Sequence, residues 1–251
     1  MSRSLAIDSW KHNTCIASNS RFYHLSSKPD AFQCSLRTRK PNLVKSFSLP
    51  SKEELRSYSP TSDTKIRLKT KGGSKLGISR FPDFEYNADG GIATGICTTT
   101  QQEGEMKVTF DTSNFYVPPL TSETTKFLGL PMPPFLKIEV VPEQLGGTIE
   151  QSGQVDLEFE GKFFFSVGEL YKAPPLTVKT VLTSEQSKGS VRCGEGKRMS
   201  EDGTCRLVGV SEVDPVNDVF LNNFLGLPTE CIANLNIEIT FEDGDADTDG
   251  S

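Results

Sequence analysis

Histidine is almost missing from this chain. His12 and His24 are the only two, and the single tryptophan, Trp10, lies with them near the start. Beyond residue 24 there is no imidazole, the commonest general base near neutral pH. That excludes Ser–His–Asp and Cys–His nucleophile pairs from the rest of the chain, together with His-ligated zinc and non-haem iron. No run approaches the ~20 apolar residues needed to span a bilayer as a helix. No GxGxxG follows a strand-like stretch, so a dinucleotide fold has no support. Cysteine is sparse and scattered at Cys15, Cys34, Cys97, Cys193, Cys205 and Cys231, not the density of a disulfide scaffold. An enzyme built on this chain would rely on Asp, Glu, Lys, Tyr or Cys. Glu158 and Glu160, on the polar face of a strand, are explained by solubility. No catalytic residue is assigned, and no metal or cofactor is expected.

What is present begins with a segment of distinct composition. Residues 1–51 hold eight of the 27 Lys/Arg and two of the 33 Asp/Glu, and they are dense in serine. Basic, Ser-rich and acid-poor composition is that of an organellar transit peptide. Phe32, Gln33, Cys34, Ser35, Leu36 and Arg37 resemble the neighbourhood of a plant plastid cleavage site, so the expected location is the chloroplast stroma, with the mitochondrion as the alternative. Residues 52–251 then keep 19 basic and 31 acidic side chains, a net charge of −12. An acidic domain is a poor partner for nucleic acid and for anionic lipid surfaces. Residues 52–77 read as a linker with a Gly72–Gly73 pair, residues 78–241 as one β-rich domain, and residues 242–251 as a disordered acidic tail.

One short phrase occurs twice. Phe127, Leu128, Gly129, Leu130 and Pro131 read FLGLP, and Phe224, Leu225, Gly226, Leu227 and Pro228 repeat it. Each copy is followed by an alternating apolar run, at Leu136, Ile138 and Val140 and at Leu235, Ile237 and Ile239. This points to a two-fold internal repeat. Each phrase reads as a short helix that glycine ends and proline stops. Ser122 is the candidate cap of the first, and Asp214 with Pro215 that of the second.

Most of the remaining periodicity is two. Val155, Leu157, Phe159, Gly161, Phe163, Phe165 and Val167 fall on one face of a long strand, with Asp156, Glu158, Glu160 and Lys162 on the other. Gly161 marks a bend or bulge. Strand signals also cover residues 92–98, 106–110, 176–183 and 235–241, and residues 190–193 and 205–211 read as the arms of a hairpin. Long crossover helices are absent. The expected fold is mainly β, an antiparallel sheet curled into a sandwich or barrel with two short helices.

Several stretches invite a chemical reading. Gly194, Glu195, Gly196 and Lys197 fail the phosphate-loop pattern, since Arg198 follows and Val191 stands where the first glycine should be. Asp245, Asp247, Asp249 and Gly250 match only half of a calcium loop. Cys193 and Cys205, with eleven residues between them, form a candidate redox pair if a hairpin sets them opposite each other. The proline-rich stretch from Phe127 through Leu128, Met132 and Phe135 is a candidate patch for a protein partner or lipid. Phe164, which interrupts a polar face, is another partner-binding candidate. Phe159, Phe163 and Phe165 are the candidate lining of a ligand cavity. Three functional readings follow: a non-catalytic stromal accessory or assembly factor contacting a protein partner, a membrane-associated complex or the thylakoid surface, a lipid- or pigment-binding barrel carrier, and a histidine-free enzyme.

Overall fold

The computed structural model describes residues 64–100 and 104–242. The expected transit segment lies outside these residues, as does the acidic tail beyond Glu242. In chain order the elements are β1 (Thr64–Thr70), β2 (Ser74–Ile78), β3 (Phe81–Tyr86), β4 (Ile92–Thr99) and β5 (Glu105–Phe110), then a single 3-10 turn at Thr112–Asn114. There follow β6 (Thr125–Phe127), β7 (Leu130–Pro131), β8 (Leu136–Glu150), β9 (Val155–Val167), β10 (Tyr171–Lys172) and β11 (Leu176–Thr183). The last described elements are β12 (Gln186–Lys188), β13 (Cys193–Glu195), β14 (Thr204–Val213), α1 (Val219–Leu225) and β15 (Thr229–Glu242).

The architecture is the expected antiparallel β fold, closed as a barrel. Eight strands pair in the cyclic order β1, β4, β5, β8, β9, β11, β14, β15, and β15 returns to β1. Closure is only part of the pairing, because the two longest walls each serve two neighbours. One edge of β15 runs against β14. Its other edge meets β2 at Cys231–Asn234 and β1 at Ile237–Glu242. β8 likewise pairs with β5 only through Gly146–Glu150. Near its start it has a single backbone bridge, Ile138 to Leu120, with N–H···O distances of 2.9 and 3.0 Å. The barrel therefore has two tiers that share β8, β9, β11, β14 and β15. In one tier β1, β4 and β5 fill the wall. In the other, β2, β3 and β6 do.

Alternation explains the strands. On β9, Val155 and Leu157 are fully buried while Glu158 is exposed. Opposite Gly161, β8 shifts register between Pro142 and Gln144, the local bulge that lets a long strand bend. A Cβ on Gly161 would lie 2.7 Å from the Phe159 ring, so glycine leaves room for that ring.

Two expectations are corrected. The stretch 52–77 is not a linker throughout: from Thr64 it forms β1 and β2, with Ile66 and Leu68 buried. Lys65, Arg67 and Lys69 form the outward face of β1, and only Ile66 and Leu68 are apolar on its inward face, too few for a strong periodic signal. Among the described residues there is also one α-helix, not two. The first FLGLP phrase is the β6–β7 hairpin. Thr124 Oγ1 accepts the Thr121 N–H at 2.9 Å and donates to the Pro119 carbonyl at 2.7 Å. This side-chain-closed turn competes with helix, and β3 then pairs with β6. The second phrase does end a helix, with Gly226 left-handed at φ 74°. Its cap is Asp218 rather than Asp214, because the Asn222 side chain bonds both the N–H and the C=O of Val216 and holds that stretch outside the helix.

The β1/β4/β5 tier is solid. Ile66, Ala93, Val108, Ile149, Val155, Leu157 and Leu207 are at most 1% exposed and pack as one cluster. Ile149→Ala is expected to cost about 2–5 kcal/mol, and Val141→Ala, on the exposed face of β8, within about 0.5 kcal/mol. Equilibrium urea denaturation of the two variants measures the difference.

Candidate functional site

The second tier is hollow. It encloses a cavity of about 400 Å³, within the ~300–1,000 Å³ range of small-molecule sites. The cause is the size of the inward residues. Thr180, Gly209, Ser211 and Ala233, from β11, β14 and β15, are small, whereas the same strands carry Leu182, Leu207 and Ile237 at the level of the solid tier. Phe159, Phe163 and Phe165 of β9, the strand beside β11, supply the large rings of the same lining.

The lining has an unusual polar balance. Among the described residues that form it, none is charged. Four carry hydroxyls, and each hydroxyl proton is already committed to a backbone carbonyl. Thr180 donates to Val210 at 2.9 Å and Ser211 to Lys179 at 2.6 Å. Thr70 donates to Ala88 and Tyr86 to Pro118. Burial raises the Tyr86 phenol further above its usual range. The Cys231 thiol, also in the lining, is pushed up to about 11 by burial. The cavity thus offers packing and no free hydroxyl donor.

An aromatic collar marks the opening. Phe81, Phe84, Phe127 and Phe224 line the cavity and are also partly exposed. Phe81 is the hub: its ring centroid lies 5.6 Å from Phe127 and 5.1 Å from Phe224. Those two residues open the two FLGLP copies, so the repeated phrase converges on one ring at the mouth. Phe224 stacks on Phe220 at 6.0 Å, and Phe220 meets Tyr171 edge-on at 5.2 Å. The Tyr171 hydroxyl donates to Asp218 Oδ2 at 2.9 Å, tying the β9–β10 turn to the cap of α1.

The candidate residues take different positions. Phe159, Phe163 and Phe165 face the cavity, and Phe127 belongs to its collar. Leu128 and Phe135 project into solvent, 75% and 78% exposed. Met132 does not project, which corrects its reading as a partner contact. Its N–H bonds the Thr125 carbonyl at 3.0 Å, and its side chain is buried with Tyr86, Ala88, Leu120 and Ile138 at the thinly paired seam beside β8. Phe164 sits half-buried on the outer face beside Glu139 of β8. The redox pairing of Cys193 with Cys205 is also overturned. Cys205 is a free, buried thiol. The expected hairpin is out of register: Lys197 faces Arg206, while Cys193 lies opposite Lys188 on β12. Sequence reasoning missed Phe81, Phe84 and Tyr86. Their only signal is aromatic density between Phe81 and Tyr86, and nothing there has the alternation of a strand.

The Asp218 carboxyl is held below the usual range by the Leu221 N–H and then by the Tyr171 hydroxyl, against a desolvation cost. A depressed carboxylate supports the fold above its unfolded value and loses that support as pH falls through its folded value. Acidification below the ordinary Asp range, or Asp218→Ala at neutral pH, is therefore expected to loosen α1. Faster amide exchange in α1, with β14 and β15 unchanged, is the readout. The Cys205 thiol is pushed up to about 12 by burial, so it is expected to resist maleimide at pH 7.5 until the protein is unfolded; mass spectrometry of trapped peptides checks this.

The arrangement has to be read from its own geometry, since no family model, curated protein or solved structure matches this chain.

Proposed function

We propose that this protein binds and carries a hydrophobic small molecule whose hydrocarbon portion, an acyl, isoprenoid or polyene chain, occupies the barrel cavity. The observation that carries the reading is the cavity itself: about 400 Å³, uncharged, with its hydroxyl protons spent on backbone carbonyls. Water in such a space would find no hydroxyl donor and few acceptors, and predominantly apolar cavities accept apolar guests. A free carboxylate or phosphate buried there would meet no cation. The polar end of an amphiphilic ligand therefore belongs at the collar.

The cavity is what favours a carrier over an accessory factor acting through the proline-rich loop. It also favours binding over catalysis. The aspartates and glutamates with shifted acidity, Asp111, Asp202, Asp218, Glu230 and Glu238, are all lowered rather than raised, and none lines the cavity. A raised, buried carboxylate would be the mark of a general acid or base. Action in a plastid is part of the same proposal and rests on the composition of residues 1–51.

The test is titration of the full chain with N-phenyl-1-naphthylamine, an uncharged apolar fluorophore. One probe per chain with a blue-shifted emission is expected. Ala233→Phe, which adds an apolar ring to the hollow tier, is expected to weaken binding at least ~tenfold, or about 1.4 kcal/mol. Ile96→Ser, on the outer wall, is expected to leave it unchanged. Absence of any saturable binding by a folded chain would sink the reading.

A further inference from the structure

The residues around the mouth suggest how a hydrophobic guest reaches the cavity. We propose that the collar and the tips around it form a membrane-docking rim that seats the barrel mouth on the surface of a lipid bilayer. The inference rests on the carrier reading for its purpose, but on separate residues for its evidence.

The tips form a continuous circuit. Leu128 and Leu130 stand on the β6–β7 hairpin, 75% and 70% exposed. Pro133 and Phe135 follow in the next loop. The Phe135 carbonyl accepts the Gly168 N–H at 2.9 Å, which brings the β9–β10 turn and its 96% exposed Leu170 alongside. Tyr171 then contacts Phe220 of α1, Phe220 stacks on Phe224, Phe224 meets Phe81, and Phe81 meets Phe127, next to Leu128 again. Val219 adds a further exposed apolar tip on α1. Three separate loops and a helix thus present large apolar side chains around one opening.

Two of these tips carry backbone strain. Leu128 has φ 52° and Phe135 has φ 70°. Bulky residues rarely adopt this region, and the cost of holding them there marks sites where the conformation serves a purpose. Both residues are exposed, so their own burial does not compensate for it.

A bilayer fits this rim better than a flat protein partner. The tips flank an opening whose interior carries no charged group, so seating them in hydrocarbon makes one apolar path from lipid to cavity. A guest insoluble in water can then transfer without crossing water. The chain is acidic, with net charge −6, so attraction to anionic headgroups does not supply the affinity. Insertion of apolar side chains into the headgroup boundary does. It should need no anionic lipid and be insensitive to salt.

The experiment is co-sedimentation of the full chain with phosphatidylcholine vesicles at low and high salt, paired with the fluorophore titration above. Wild type is expected to sediment equally at both salt concentrations. The triple variant Leu128→Ser, Phe135→Ser, Phe220→Ser is expected to lose at least ~tenfold in partitioning while keeping fluorophore binding, which also reports that it is folded. A control that removes three exposed apolar side chains from the barrel walls, Ile96→Ser, Val141→Ser, Val181→Ser, is expected to sediment like wild type. The proposal is overturned if wild type stays in the supernatant, if the control loses binding as much as the rim variant, or if salt abolishes sedimentation. It is equally overturned if the rim variant instead abolishes self-association in sedimentation velocity, which would assign the rim to a second copy of the chain. Rim-dependent sedimentation without fluorophore binding would keep the docking surface and remove the carrier reading, so the two fail separately.

Discussion

The divided edge of β15 is the constraint on which the rest of the structure depends. One strand cannot hydrogen-bond two partners at the same place on the same edge, so β1 and β2 take successive stretches of it. The changeover lies at Asn236, whose carbonyl accepts the Lys71 N–H at 2.8 Å, whose N–H is accepted by Ser74 Oγ at 3.1 Å, and whose side-chain amide donates to the Gly72 carbonyl at 3.1 Å. Gly73, at φ 74°, supplies the left-handed residue the turn requires. One asparagine thus satisfies the backbone groups that a fork would otherwise leave unpaired. Below it β1, β4 and β5 close a barrel of ordinary size. Beyond it β2, β3 and β6 form a second wall, joined to β8 by little more than one bridge.

The two tiers differ in what side-chain size does to the same strands. An eight-stranded barrel has an interior just wide enough for side chains to fill or for one small ligand. In the solid tier the inward residues are mostly Ile, Leu, Val and Phe, with Ala93, Cys97 and Cys205 among them, and they meet. In the hollow tier β11, β14 and β15 present Thr, Gly, Ser and Ala, and the Phe rings of the adjacent β9 do not fill the space. Stability is thereby concentrated at one end and space at the other. The hydroxyls of the hollow tier are consistent with this, since each is turned toward the wall and bonded there.

Strain and exposure follow the same division. The left-handed Leu128 and Phe135, the large exposed side chains of α1 and the β9–β10 turn, and the aromatic collar all gather at the hollow end. A chain selected for stability alone gains nothing from exposed leucines held in an unfavourable backbone region. Local rules are broken together at this end of the barrel, as they are at functional or strained sites of other proteins.

The sequence by itself determined the fold class. The period-two run of β9, the glycine break at Gly161, the acidic β-rich character and the lack of histidine after residue 24 were all legible, because each is a local property of consecutive residues. The repeated phrase was legible too, but its two copies were not equivalent in form: threonine side chains turned one into a hairpin, and the Asp218 cap made the other a helix end. Only the tertiary structure decided that residues 64–78 belong to the barrel, that Met132 seals a seam, and that Cys193 and Cys205 are out of register. The cavity was likewise decided there. It arises from which small residues face which large ones across 8 strands, and the pairing of strands distant in sequence is a property of the closed barrel rather than of any local stretch.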